Sequence, residues 1–197
     1  MQKYGKISRE GDLVQLLGRQ HKSHFIRLTS GKVFQTHRGE ILHDDMIGKP
    51  WGTRLFSHTG KHFFLMRPGL ADLITEIKRN TQIIYPKDIG YILTVMGLGP
   101  GVHVLEAGTG SGALTTSFSF FVGDPGRATS YDNREQMQNL AKHNLERVGL
   151  LGNVTLRLGD IADGFSERDV DAIFLDLPNP YDYFTQVKAS LKLGGFL

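Results

Sequence analysis

The sequence predicts an α/β fold, a parallel sheet wrapped by helices with a small β module in front of it. Three observations carry this. From Gly101 onward, apolar strand-like runs alternate with helical patterns, as in βα units joined by right-handed crossovers. Upstream of residue 67 the chain reads as short alternating segments between glycines at turn-like spacing. At the first strand of the parallel part, residues 102–115 run Val-His-Val-Leu-Glu-Ala-Gly-Thr-Gly-Ser-Gly-Ala-Leu-Thr: a strand, three alternate glycines and the start of an apolar helix.

In the front module, Asp12–Leu17 and His24–Leu28 alternate apolar with polar residues, and Val33–Gln35 and His62–Met66 read as further strands. Gly31, Gly39, Gly48, Gly52 and Gly60 mark turns, so residues 1–66 are expected to form a small antiparallel β domain. Its charge stands apart. Residues 1–60 hold ten Lys/Arg against five Asp/Glu, a net +5, while thirteen against fifteen leave −2 for the rest. A basic module suggests a polyanionic partner.

Composition narrows the class. A chain of 197 residues suffices for one large domain and a satellite, and 40% hydrophobic with 22% charged residues is ordinary for a globular protein. With no cysteine there are no disulfides and no thiol chemistry. No run is long enough to span a bilayer, so the expectation is a cytoplasmic enzyme with no membrane partner.

Pro68 opens a helix near Leu70–Lys78, with Leu70, Leu73, Ile74 and Ile77 on one face. A second helix runs from Pro86 to Met96. Tyr85, held extended by the proline after it, stands on a stiff corner entering that helix. Residues 67–100 are thus expected to be a helical connection forming part of the catalytic pocket. Over 101–197, strands are expected at Val102–Glu106, Arg127–Tyr131, Val154–Leu158, Ala172–Leu175 and Gly195–Leu197, with helices near Ala113–Val122, Arg134–Val148 and Tyr183–Leu191. The chain stops inside an apolar strand, and the expectation is a sheet whose last strands belong to a longer protein. Ligands bind such sheets beyond the carboxyl ends of the strands, where the strand order reverses.

The glycine loop lies at such an end. Gly108, Gly110 and Gly112 remove the Cβ atoms that keep a backbone off a bulky ligand, and the new helix presents free N–H groups. Gly108-Thr109-Gly110-Ser111-Gly112-Ala113 also fits the dinucleotide pattern G-x-G-x-x-G/A, so a nicotinamide or flavin cofactor is a competing reading. Glu106 favours S-adenosylmethionine: an acid there suits a cationic amino-acid end and is unwelcome beside a pyrophosphate. The E-x-G-x-G-x-G spacing favours it too, with Ala113 and Leu114 closing the cofactor set. Asp132, ending the second strand, is placed to accept hydrogen bonds from ribose hydroxyls, or else to cap the next helix. Asp160 is placed for the adenine amino group, or else for a turn. Asp176, ending the fourth strand in Phe174-Leu175-Asp176-Leu177-Pro178-Asn179-Pro180-Tyr181, sits beside the expected methyl group where the acceptor must arrive. That loop is similar to the D/N-P-P-Y/F/W loop of base amino-methylases, interrupted by Leu177. No metal site is expected.

Taken together, Gln82-Ile83-Ile84-Tyr85-Pro86-Lys87-Asp88, Val104–Gly112, Ser130-Tyr131-Asp132 and Phe174–Pro178 resemble the tRNA (adenine-58-N1)-methyltransferases of bacteria and archaea. His37–Gly48 is similar too, and the likeness covers nearly the whole chain. The resemblance implies a Rossmann-like methyltransferase domain behind a small N-terminal β domain that contacts RNA, and a homotetramer. It also implies methyl transfer to N1 of a T-loop adenine in tRNA, with catalytic roles for Asp176 and Tyr85 in the acceptor pocket. The sequence departs from the family at Asp132, where Glu is commoner, at Asn179, where an acid is common, and at Leu193, in place of a proline. Rival readings are a methyltransferase for isoaspartyl protein or a small molecule, a non-catalytic RNA-binding subunit, and a nicotinamide oxidoreductase. A core-aromatic reading of Tyr85 also stands.

Overall fold

The computed structural model describes residues 5–19, 22–80 and 82–197, and Lys3 of the basic segment lies outside them. It divides into two compact units, residues 2–69 and 70–197, each with its own core. The two helices after Pro68 belong to the second unit.

In the first unit, β1 (Leu13–Leu17), β2 (Ser23–Arg27), β5 (Arg54–Phe56) and β6 (His62–Met66) form an antiparallel sheet in the order β2-β1-β6-β5. A separate hairpin pairs β3 (Val33–Thr36) with β4 (Gly39–Leu42). Val14, Leu16, Leu55, Phe63 and Leu65 line one face of the sheet and pack with Leu28, Ile41 and Met46. Strands β4 and β5 were not expected. They are four and three residues long and lie among the glycines that read as turns, so they carry too little alternation to register. The segment His37–Gly48 serves this core: Ile41 and Met46 are buried, and Ser8 Oγ donates to the Met46 carbonyl at 2.6 Å.

In the second unit, α1 (Leu70–Thr75) and α2 (Pro86–Val95) precede a five-stranded parallel sheet ordered β11-β10-β7-β8-β9. Its strands are β7 (His103–Ala107), β8 (Arg127–Asp132), β9 (Val154–Leu158), β10 (Val170–Leu175) and β11 (Leu191–Phe196). Helices α3 (Ala113–Val122), α4 (Glu135–Val148) and α5 (Phe184–Ser190) are the crossovers. Helix α1 stops earlier than expected, and a 3-10 turn over Pro180–Tyr183 precedes α5. Strand β11 starts at Leu191, four residues before the expected Gly195: its pairing with β10 shifts register between Val170 and Ala172, which lets the Gly-containing stretch join the strand.

One face of the sheet packs with Ile74, Ile89, Leu93, Leu114 and Phe118 from α1, α2 and α3. The other holds Leu105, Ala107, Ile173, Phe165 and Val187. The order reverses beside β7, which has β8 on one side and β10 on the other. The carboxyl ends of these three strands open there.

Candidate active site

A cavity of about 430 Å³ lies at that switch point, within the range of roughly 300–1,000 Å³ usual for small-molecule sites. Its walls come from the glycine loop after β7, the ends of β8, β9 and β10, and the segment Gln82–Ile84. Of the residues expected to hold the cofactor, Glu106, Gly108, Thr109, Gly110, Ser111, Ala113, Leu114, Asp132, Asp160 and Asp176 all line it.

Gly112 does not. It has φ +79°, and a Cβ there would stand 2.9 Å from the Ala141 Cβ of α4, so this glycine lets two helices approach each other. Gly108 has φ +100°, and a Cβ would stand 2.4 Å from the Asp176 carbonyl oxygen. The chain after β10 runs that close because the Asp176 N–H donates to the Ala107 carbonyl at 2.8 Å. The glycine loop and the Asp176 loop are thus packed backbone to backbone.

Glu106 is 2% exposed and turns toward α3. One of its oxygens, Oε2, accepts from Thr115 Oγ1 at 2.5 Å and from Ser130 Oγ at 2.6 Å. Thr109 Oγ1 lies 2.7 Å from Ser130 Oγ and accepts from Gln138 Nε2 at 3.1 Å. Since the Ser130 proton goes to Glu106, Thr109 donates to Ser130, and the chain of donors runs Gln138, Thr109, Ser130, Glu106. Burial pushes the Glu106 carboxyl up to about 8, against the pull of the Ser130 and Thr115 hydroxyls, and the charges of Asp176 and Asp132 add to the rise. The Gln138 Oε1 atom is buried without a hydrogen-bond partner.

Asp132 is fully engaged. Oδ1 accepts from the Arg134 backbone N–H at 3.0 Å and its Nε at 2.9 Å, while Oδ2 accepts from the Gly110 N–H and Arg134 Nη2, both at 3.0 Å. Burial pulls this carboxyl upward, but the Arg134 side chain and the two amides outweigh it and hold it below the usual carboxylate range. Asp160 lines the cavity, and its Oδ1 accepts from the Ala162 N–H at 2.9 Å at the start of a 3-10 turn, the turn role its sequence position allowed. Burial alone raises the Asp176 carboxyl.

Tyr85, assigned by resemblance to the acceptor pocket, is not among the lining residues. It is 41% exposed, extended at φ −81° and ψ 156°, and immediately follows the lining segment Gln82–Ile84. The Arg79 guanidinium lies 6.0 Å from its ring centroid. A core-aromatic reading of Tyr85 does not fit that exposure.

Sequence reasoning missed Tyr131, Arg134, Leu177, Pro178 and Tyr183 in the lining. Only Arg134 left a signal, two residues past a strand-end aspartate where a side chain can fold back. Among the described residues no group of His, Asp and Glu side chains is arranged to hold a metal ion. Among them, too, no helix is long and apolar enough to cross a membrane.

Residues 61–197 match the family described as tRNA methyltransferase complex GCD14 subunit, and residues 8–54 match the TrmI-like N-terminal family. A Methanocaldococcus jannaschii protein, tRNA (adenine(57)-N(1)/adenine(58)-N(1))-methyltransferase TrmI, is 36% identical over an alignment 173 positions long that covers 75% of this chain and 61% of that protein. The chain therefore spans less than two thirds of that relative's length. Among solved structures, a SAM-dependent O-methyltransferase from Thermotoga maritima superposes with TM-score 0.86 at 35% identity, covering 97% of this chain and 72% of its own. The tRNA (m1A58) methyltransferase TrmI from Aquifex aeolicus superposes with TM-score 0.76 at 31% identity, covering 94% and 72%. The fold is that of the Rossmann-like methyltransferases with an N-terminal antiparallel unit, and the chain belongs to the tRNA (adenine-58-N1)-methyltransferase family.

Proposed function

We propose that this chain transfers a methyl group from S-adenosylmethionine to N1 of adenine 58 in the T-loop of tRNA, acting in the cytoplasm as part of a homotetramer. The observation that carries this reading is the convergence of Glu106, Asp132 and Asp176 on one cavity beside a glycine loop, within a chain of this family. The lining fits the cofactor. Gly108 and Gly110 of the lining carry no side chain, and each carboxylate sits at the end of a different strand. When bound, S-adenosylmethionine supplies an electrophilic methyl group on a sulfonium.

In this reading Glu106 faces the cationic amino-acid end, Asp132 the ribose hydroxyls and Asp160 the adenine amino group. The four hydrogen bonds already on Asp132 fill its acceptor sites, so the ribose hydroxyls take the place of the Arg134 side-chain donors. The target adenine leaves its stack to present N1. Its lone pair lies in the ring plane and needs no base, so catalysis rests on positioning. Positive charge grows on the ring as the methyl arrives, and the Asp176 carboxylate, accepting from the N6 amino group, stabilises it. Tyr85, just beyond the lining segment, packs against the incoming base, and the basic first unit contacts the tRNA backbone.

The Thermotoga relative is described as an O-methyltransferase, and a single experiment separates the two chemistries. Unmodified tRNA is incubated with labelled cofactor, and the product is mapped by primer extension. A reverse-transcription stop at the T-loop adenine, lost when that base is replaced, is the expected result. Label on oxygen, or none on the tRNA, would defeat the proposal.

A further inference from the structure

On the sheet of the first unit, the side opposite the main core is open at β5 and β6, while Leu13 and Gln15 of β1 on that side are buried. Cross-strand pairs place Arg54 opposite Phe64, Phe56 opposite His62, and Gln15 opposite both Met66 and Phe25, so these residues share one side. The core lies on the other side, with Val14, Leu16, Leu55, Phe63 and Leu65. An antiparallel sheet with one solvated face ordinarily turns polar side chains outward. Here Phe56 is 57% exposed, Phe64 38% and Met66 37%.

The charge on this face is one-sided. Strands β1, β2, β5 and β6 contain no Asp or Glu; this face carries Arg27, Arg54 and His62, while His24, opposite Leu16, turns to the core beside Phe63. Arg54 lays its guanidinium 5.0 Å from the Phe56 ring centroid, and His62 meets Phe64 edge-on at 5.9 Å. Partly exposed rings thus stand beside cationic groups, with no carboxylate on the strands to repel a phosphate. Protein interfaces also favour aromatic residues and Arg, but the absence of acids and the +5 charge of residues 1–60 favour a polyanion with exposed π faces.

We propose that the face formed by Arg54, Phe56, His62, Phe64 and Met66 binds unpaired RNA, stacking one or two splayed bases on its rings while Arg54 holds the adjoining phosphate. This deepens the tRNA reading, on which it rests for the identity of the natural RNA. Duplex RNA hides its base faces and gains nothing from such a platform.

The test uses the full chain and fluorescence anisotropy with a labelled, unstructured oligoribonucleotide of about a dozen nucleotides, and a duplex of the same sequence. The single strand is expected to bind more tightly than the duplex. Phe56→Ala with Phe64→Ala should weaken it about tenfold or more, while Phe56→Tyr with Phe64→Tyr retains it. Arg54→Gln should flatten the slope of log K against log salt by about one charge. All these sites are exposed, and an unchanged melting temperature checks the fold. Equal affinity for the alanine double variant, or for duplex, overturns the proposal. So does a shift in oligomeric state by light scattering at unchanged RNA affinity, which would make the face a contact between copies. Methyl transfer is read separately. A chain that binds single strands through this face but does not methylate tRNA sinks the proposed activity alone, and one that methylates with the same KM in both double variants sinks the platform alone.

Discussion

Glu106 is a buried carboxyl whose surroundings displace its titration strongly upward. Its folded-state carboxyl, held near 8 by burial, keeps a proton through neutrality that the unfolded chain would lose near the ordinary glutamate range. The sign follows from linkage: between those values the native state binds more protons, so this group's contribution to stability falls as pH rises. A cationic ligand end prefers the ionised form. Cofactor affinity is therefore expected to rise as pH climbs through about 8, with release of a proton on binding, and Glu106→Gln should flatten that profile. Titration calorimetry at several pH values, in buffers of different ionisation enthalpy, checks both. Asp176 makes a sharper case on the acceptor side. Asp176→Ala should lower kcat by roughly 10²–10³-fold, as loss of a transition-state electrostatic partner does, with cofactor affinity little changed. Single-turnover methyl transfer, beside calorimetry on the same variant, measures the pair.

At the scale of elements, what the sequence revealed depended on how local the signal was. Helix α3 and strand β9 lie where periodicity placed them, since a continuous apolar pattern needs no distant partner. Strands β4 and β5 escaped because short strands are specified by what they pair with, here β3 and β6. The same division runs through the site. The glycine loop and the strand-end carboxylates announce themselves by position. The Gln138, Thr109, Ser130 and Thr115 hydrogen bonds around Glu106 join small polar residues from several elements, and nothing local marks them. Asn144 of α4 is another such tie. Its side-chain N–H groups donate to the carbonyls of Lys78 at 2.8 Å and Ser111 at 2.9 Å, and its oxygen accepts from the Lys78 N–H at 3.3 Å. Asn144→Ala strands the buried Ser111 carbonyl and removes part-buried bonds to Lys78, and should cost about 1–3 kcal/mol by denaturant unfolding. Because Ser111 belongs to the glycine loop, cofactor affinity should weaken with it.

At the scale of the whole molecule, two units with separate cores give separable effects. Phe63 is fully buried in the first unit, ringed by Phe34 and His24 and overlain by the Arg38 guanidinium 5.1 Å from its centroid. Phe63→Ala should remove about 3–5 kcal/mol from that unit, the usual cost of emptying a buried aromatic site. Cofactor binding, whose candidate residues all lie in the second unit, should be spared. Chemical denaturation followed by far-UV dichroism, with calorimetry of the cofactor on the same variant, reads the two outcomes independently. The bond from the Asp176 N–H to the Ala107 carbonyl bears on how such a protein changes its substrate. It fastens the seat proposed for the acceptor to the seat proposed for the donor through a single pair of peptide units. In the proposed reading this backbone tie fixes where the two seats stand, and the side chains of Asp176 and Asp132 align what sits in each. Substitutions at Leu177, Pro178 or Tyr183 would then reshape the proposed acceptor seat and leave this tie in place.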